Sequence, residues 1–444
     1  MKLRFLSLLA LGVATLSNTS QAAEKIKFTE YDLPNGLHVI LHEDHATPIV
    51  AVSVMYHVGS KNEKVGRTGF AHFFEHLLFE GSENIKRGEY MKLVQAAGGQ
   101  LNANTSQDRT FYFESLPSNQ LELGLWMESE RMLHAKIDTI GVETQRKVVK
   151  EEKKQSYDNR PYGQLLKVVY ENSFTEHPYH WTPIGYDKDL SEATIDEFIN
   201  FYKTYYVPNN ATLVIGGDID PIKTKALIAK YFGGIPKGTK ELYRPSIVEP
   251  AQTAEKRTTF YDNIQLPALI FSYKAPKPFT KDAYAMQLLA QLLSQGNSSR
   301  LRNALVDKQQ KAVEVGAFPM PSEDPGVVMM FAIANMGVKN AELEAAMNDE
   351  IEKVRTTLIS DEEYKKLMNQ IESDFINQNR RILGIIENLA TNYTYLKNTN
   401  LVNTELEKYN KVTREDVLKV AKKYLNKDNR VVLYYVPKAK AATK

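Results

Sequence analysis

Two stretches of the chain, separated by about half its length, carry the same succession of helix cap, helix and apolar strand, and this repeat restricts the possible folds most sharply. Thr194-Ile-Asp-Glu-Phe, Tyr205 and Asn210-Ala-Thr-Leu-Val-Ile215 correspond to Thr413-Arg-Glu-Asp-Val, Tyr424 and Asn429-Arg-Val-Val-Leu-Tyr434. The offset is the same at every matched position, so the pattern reads as a duplication of one unit. Each unit mixes helices and strands, which predicts two homologous α+β domains, each a mostly antiparallel sheet with helices on one face. The 444 residues are 43% hydrophobic, enough to fill two cores and to exclude a disordered chain.

Between the repeats, residues 237–257 lose periodicity and collect Gly, Pro and charge, so they read as a linker. The domains then run 24–236 and 258–444. Within the first, Thr47–Tyr56 is an apolar, β-branched run bounded by turn residues, a buried strand. Helices are expected through residues 70–80 and near 88–97, with Gly98-Gly99 as a stop. A strand pair follows over Gln100–Ser115. Helical patterns run from Gln120 to about Tyr157 and from Ile195 to Tyr205, and a strand over Ala211–Gly216 closes the half.

Residues 1–23 have the layout of a cleaved secretory signal. Lys2 and Arg4 precede the apolar stretch Phe5–Leu16, and Ser20-Gln-Ala22 offers cleavage after Ala22 or Ala23. The stretch is too short to span ~30 Å of hydrocarbon, and no later run approaches ~18 apolar residues. A periplasmic or secreted location follows, of the Gram-negative envelope type.

A formal charge of +2 argues against nucleic acid as partner. The chain has no cysteine, so disulfides, thiolate metal sites and cysteine nucleophiles are excluded, and any metal must be held by His, Asp or Glu. All nine histidines precede residue 181. Two lie in Phe70-Ala-His72-Phe-Phe-Glu75-His76-Leu-Leu-Phe-Glu80-Gly81. On a helix, His72 and His76 are about 40° apart, with Glu75 about 60° to the other side of His72. Two imidazoles one turn apart suit zinc, and the carboxylate between them can take a proton from water activated by the ion.

His-x-x-Glu-His is the inverted zinc motif of the inverzincins. The wider string, from Gly59 and Gly69-Phe-Ala-His72 to Gly81-Ser82, resembles the pitrilysin/insulinase family of zinc metallopeptidases, the short bacterial members being similar to mitochondrial processing peptidase subunits. The likeness continues through Gly98-Gly-Gln-Leu-Asn102-Ala103-Asn-Thr105-Ser-Gln-Asp108-Arg-Thr110-Phe-Tyr112, Val148-Val-Lys-Glu-Glu152, His177-Pro-Tyr179, Pro183-Ile-Gly185 and Tyr206-x-Pro208-Asn-Asn210. It implies one Zn2+ per chain, held by His72, His76 and a Glu far beyond the second histidine, after a pair of β-branched residues; here that Glu is Glu152, after Val148-Val149. Glu151 is the competitor, and Glu80, one turn after His76, is a geometric alternative whose ordinary reading is a solvated helix end. The resemblance also implies that Glu75 is the catalytic base and that Asn102-Ala103 lie on a substrate-binding strand edge, where a peptide pairs through its main chain. Family members often carry a basic residue where this chain has Glu80, and commonly a Glu where it has Gln145.

The resemblance implies a zinc endopeptidase acting on peptides or unfolded polypeptides. The alternative is a non-catalytic structural subunit of the same architecture; a plain metal-binding protein leaves the Asn-Ala strand unexplained. Active members have an Arg and a Tyr, closely spaced, in the zinc-free half, and after Ser299-Arg300-Leu301 this chain has Val306 and Val313 at those places. The expectation is therefore a heterodimer whose partner supplies the Arg/Tyr pair, a homodimer being the alternative, with no stable membrane insertion.

Overall fold

The computed structural model describes residues 25–439 except Pro321. The signal-type segment 1–23 lies outside the described residues. Among the described residues there are two sheets. The first contains β1 (Thr29–Asp32), β2 (His38–Glu43), β3 (Ile49–Tyr56), β4 (Gln100–Thr105), β5 (Thr110–Pro117) and β6 (Ala211–Gly217), in the order β1-β2-β6-β3-β5-β4. The second contains β7 (Lys256–Asp262), β8 (Ala268–Lys274), β9 (Ala312–Pro319), β10 (Val327–Ala334) and β11 (Arg430–Pro437), in the order β7-β11-β8-β10-β9. Among the described strands, only β2 with β6 and β7 with β11 run parallel. Apart from β1, the two orders superpose strand for strand.

The helices of the first half are α1 (Phe70–Leu77), α2 (Tyr90–Ala96), α3 (Leu121–Leu133), α4 (Thr139–Lys153), α5 (Leu165–Ser173), α6 (Asp187–Glu192), α7 (Ile195–Tyr205) and α8 (Pro221–Phe232). Those of the second are α9 (Lys281–Ser294), α10 (Asn340–Thr356), α11 (Asp361–Gln378), α12 (Ile382–Leu396), α13 (Leu401–Tyr409) and α14 (Arg414–Tyr424). The pattern over 120–157 is interrupted at His134–Asp138, where Lys136 N–H donates to Gly81 O (3.1 Å) and Asp138 caps α4. Residues 239–255 form neither helix nor strand, and β7 starts at Lys256.

The repeat is structural as well as sequential. Thr194 with Glu197, and Thr413 with Asp416, form capping boxes at the starts of α7 and α14. Asn210 Nδ2 donates to Tyr205 O at 2.7 Å, and Asn429 Nδ2 donates to Tyr424 O at 2.8 Å, the same bond at the equivalent place in the second half.

Each half packs its own helices on one face of its sheet. Val50, Val52, Val54 and Tyr56 of β3 enter the core shared with α1, α3 and α7. The alternate residues Ala51 and Met55 point to the other face, which is covered by Ile385, Ile386, Leu389 and Ala390 of α12, a helix of the second half. The exchange is reciprocal, for Val168, Val169 and Tyr170 of α5 cover Ala268, Ile270 and Leu433 of the second sheet. Central strands buried on both faces carry continuous apolar runs for this reason. At Gly216 an added Cβ would stand 2.7 Å from Ile386 Cγ2, so the close approach of α12 requires glycine.

Leu389 is fully buried between the halves. Leu389→Ala is expected to lower the unfolding free energy by about 2–5 kcal/mol. Because its neighbours lie on the first sheet, amide exchange of β3 and β6 should accelerate with that of α12, as hydrogen-exchange mass spectrometry can read.

Candidate metal centre

The site is built on α1, an eight-residue helix held at both ends by buried ionisable groups. At its start, Glu63 Oε2 accepts from Gly69 N (2.9 Å) and Oε1 from Ala71 N (2.9 Å), while Trp181 Nε1 donates to Oε2 at 3.1 Å. Burial is the larger effect and raises Glu63 to about 8, while these three N–H donors favour its ionised form and limit the rise. Gly69 caps the helix at φ +89°, and Gly185 backs against it so closely that a Cβ there would lie 2.4 Å from Gly69 N. At the other end Arg131 Nη1 donates to Leu78 O at 2.7 Å. Arg131 is fully buried, paired with Glu128 at 3.0 Å and enclosed by the rings of Phe79, Tyr90 and Tyr112. A cation at the C-terminus complements the helix dipole, and the Glu63 carboxyl at the N-terminus accepts from Gly69 and Ala71.

Phe73, Phe74 and Leu77 face the core, which turns His72, Glu75 and His76 to the opposite side. On α4, Gln145 begins the face that ends in Glu152. Glu152 Oε2 lies 3.0 Å from His76 Nε2, and Oε1 lies 3.7 Å from His72 Nε2. Among the described residues, His72, His76 and Glu152 form the group of ligating side chains whose donor atoms lie within 4.8 Å of one another. Burial, and then the neighbouring His76, lower His72 to about 4, so its ring is neutral at pH 7. Contact with His76 lowers the Glu152 carboxyl. The Nε2 atoms of His72 and His76 both turn toward the Glu152 carboxylate, and two imidazoles with one carboxylate are a donor set of open zinc sites.

Glu75 sits beside this set with its carboxyl raised by burial, an effect opposed by the neighbouring Thr105 hydroxyl and by His76. Thr105 ends β4, the edge strand of the sheet, so the strand edge and the helix meet at Glu75. On that edge Asn102 is exposed, and its Oδ1 accepts from Ala103 N at 2.8 Å. Ala103 itself is buried.

Glu151 is turned to solvent, where its carboxylate meets Gln155 Nε2 at 2.9 Å. Glu80 is not a solvated helix end. Its side chain is 8% exposed, lies 3.2 Å from Arg87 Nη1 and accepts from Gln145 Nε2. A Glu at position 145 would set two carboxylates against each other in this buried place, so Gln145 and Glu80 belong together.

Sequence reasoning passed over several residues. Glu63 lies between Gly59 and Gly69, and an acid just before a helix start was the available signal. Arg131 had no signal, since an Arg on an amphipathic helix reads as surface. Tyr157, on the wide π-helical turn Lys154–Asp158, is close enough to Glu152 and Glu75 for their charges to raise its phenol, although burial is the larger cause. Lys61 is buried, with Nζ 3.0 Å from Asp108 Oδ1, 2.5 Å from Glu323 and 3.0 Å from Asp324. Tyr179 OH donates to Asp108 at 2.7 Å, so the tip of the β4–β5 hairpin is fastened to the β9–β10 loop of the other half.

Residues 38–182 match the family described as insulinase (peptidase family M16), and residues 192–371 match the peptidase M16 inactive domain. The zinc protease PqqE of Helicobacter pylori is 30% identical over 438 residues, 98% of either chain. The crystal structure of a protease from Helicobacter pylori aligns with a TM-score of 0.88 at 29% identity, over 92% of this chain and 99% of that one. A peptidase M16 inactive domain from Pseudomonas fluorescens shares the fold, with a TM-score of 0.82 at 16% identity over 93% and 98% of the two chains.

The two neighbouring carboxylates face opposite ways, which makes them separable. Glu152→Gln should reduce the zinc retained after dialysis at least about tenfold, whereas Glu151→Gln should retain it fully, as atomic emission would report. Loss confined to Glu151→Gln would reassign the ligand.

Proposed function

The chain belongs to the insulinase family of peptidases (family M16), and from that membership we propose that it is a zinc-dependent endopeptidase that cleaves peptides or unfolded polypeptides bound along β4. The observation that supports this reading most directly is the placement of Glu75, one residue before His76, beside the His72, His76 and Glu152 group and against Thr105 of the edge strand. His72, His76 and Glu152 would hold the ion. When bound, zinc supplies Lewis acidity sufficient to bring a water's pKa down to about 7.

Glu75 takes the proton of the attacking water and later delivers it to the leaving amine. Its burial favours this exchange, since a carboxyl raised toward neutrality both accepts and releases a proton readily. The β4 edge offers main-chain hydrogen bonds, which bind an extended chain with little regard to its side chains. Ala103 N–H is held by Asn102 Oδ1, so the Asn102 side chain guards a donor that substrate takes over.

The expected Arg/Tyr pair bears on assembly. Val306 packs against the second core and Val313 is 46% exposed. Of the two arginines nearby, Arg300 is committed to Glu363 through two bonds of 2.9 Å, and Arg302 is exposed. We infer that the chain is the metal-bearing subunit of a heterodimer, its homologous partner supplying the missing donors to the oxyanion. A non-catalytic structural role is the second reading. It draws on the inactive-domain match, which covers residues 192–371 and leaves α1 outside. No described helix is long and apolar enough to cross a membrane. Export to the cell envelope rests on residues 1–23.

Glu75→Gln should keep its zinc and lose hydrolysis at least about a hundredfold, because an amide cannot accept the proton. Zinc content and cleavage of a quenched fluorescent peptide, measured together, check this. Retained turnover would remove Glu75 from the role, and absence of cleavage in the wild type with a partner present would favour the structural reading. For the heterodimer, the purified chain should gain activity on mixing with a homologous subunit that lacks His-x-x-Glu-His. Full activity of the chain alone would refute that pairing.

A further inference from the structure

A cavity of about 370 Å³ opens where the two halves meet, remote in sequence from α1. Its walls come from Tyr284 of α9, Tyr409 of α13 and the β8–α9 loop, including Pro276 and Phe279. Tyr284 and Tyr409 stand edge to face, with ring centroids 4.7 Å apart. Glu405, one turn before Tyr409 on α13, lines the same space. It makes no hydrogen bond or ion pair with any described residue, and burial raises its carboxyl. Glu405 is half-buried, and a carboxylate without a protein partner beside aromatic rings is stabilised when a cation pairs with it. Phe279 is held at φ +60°, a conformation that a bulky side chain adopts only under constraint, which places backbone strain on the cavity wall.

The cavity also adjoins the strand edge. Ser106 and Arg109, from the turn that follows β4, form its rim. Arg109 does not neutralise Glu405, because its guanidinium is engaged by Glu387 at 2.6 Å and by the Asn104 side chain. A chain lying along β4 and continuing past Thr105 would therefore pass the cavity mouth. We propose that this cavity is a subsite for a basic side chain of the bound polypeptide, the guanidinium or ammonium paired with Glu405 and its stem packed between Tyr284 and Tyr409. Aromatic faces attract cations, and the long stems of Arg and Lys suit an apolar wall. The identity of the chain that carries the cation rests on the peptidase reading; the cation site itself does not.

Two measurements on the full chain test this. Titration calorimetry with benzamidinium should give a dissociation constant on the order of millimolar, with neutral benzamide failing to bind. Glu405→Gln, checked for folding by circular dichroism, should weaken benzamidinium at least about tenfold. Equal affinity in wild type and variant would overturn the site. In the second, one arginine is scanned through a fluorescent nonapeptide of otherwise neutral residues, with norleucine scanned as control, and affinity is read by anisotropy. At one position arginine should bind about tenfold more tightly than norleucine in the wild type and less than about twofold in Glu405→Gln. No arginine preference at any position, or one that survives Glu405→Gln, would overturn the polypeptide occupant. Cleavage is read separately on the same peptides. Arginine-dependent binding without cleavage would reject the peptidase reading and leave the subsite standing.

Discussion

The candidate site depends on how an eight-residue helix is kept in one place. A helix this short has little stability of its own, because nucleation costs more than two turns recover. Here Glu63 fastens its first N–H groups and Arg131 the carbonyl of Leu78, the residue that caps its end, both from buried positions. Tyr112 OH adds a bond to Phe74 O at 2.8 Å from the sheet below. The helix is thus fixed by polar groups that cannot move to solvent. Removing one would leave its buried partner unpaired, which is why such pairs fix position more effectively than apolar contacts.

From that anchored helix the rest of the arrangement follows through shared side chains. Thr105 places the edge strand beside Glu75, and the tip of that hairpin is held by Lys61, Asp108 and the Glu323–Asp324 loop of the second half. The exchange of α5 and α12 makes the halves mutually dependent, since each sheet would expose an apolar face without the other's helix. Rigid attachment of a strand edge to the helix bearing His72, Glu75 and His76 gives the fixed geometry that the proposed catalysis would require.

Electrostatic choices around the site are correlated. Glu80 and Gln145 form one contact, with Arg87 as its cation, where the family pattern has a basic residue and a Glu. Glu405, in contrast, has no such compensation, and it sits where the first half's hairpin turn meets the second half's helices.

Much of the architecture was legible in the sequence. Strand and helix periodicities located β3, α1, α7 and β6, and the repeat linking Thr194–Ile215 to Thr413–Tyr434 anticipated two sheets of matching order. Spacing on one helix put His72, Glu75 and His76 on a common side, because local geometry alone sets that. Other features depended on contacts far apart in the chain. That Glu152 meets the histidines while Glu151 faces solvent was a choice offered by resemblance, and it is the packing of α4 against α1 that turns one inward. Periodicity could show that β3 is buried on both faces, yet not that the cover is α12. Likewise Glu63, Lys61 and Arg131 are charged residues that a sequence assigns to the surface by default. Their burial is decided by partners brought from distant segments, since only a completed set of hydrogen bonds offsets the cost of desolvating a charge, and no single segment contains that set.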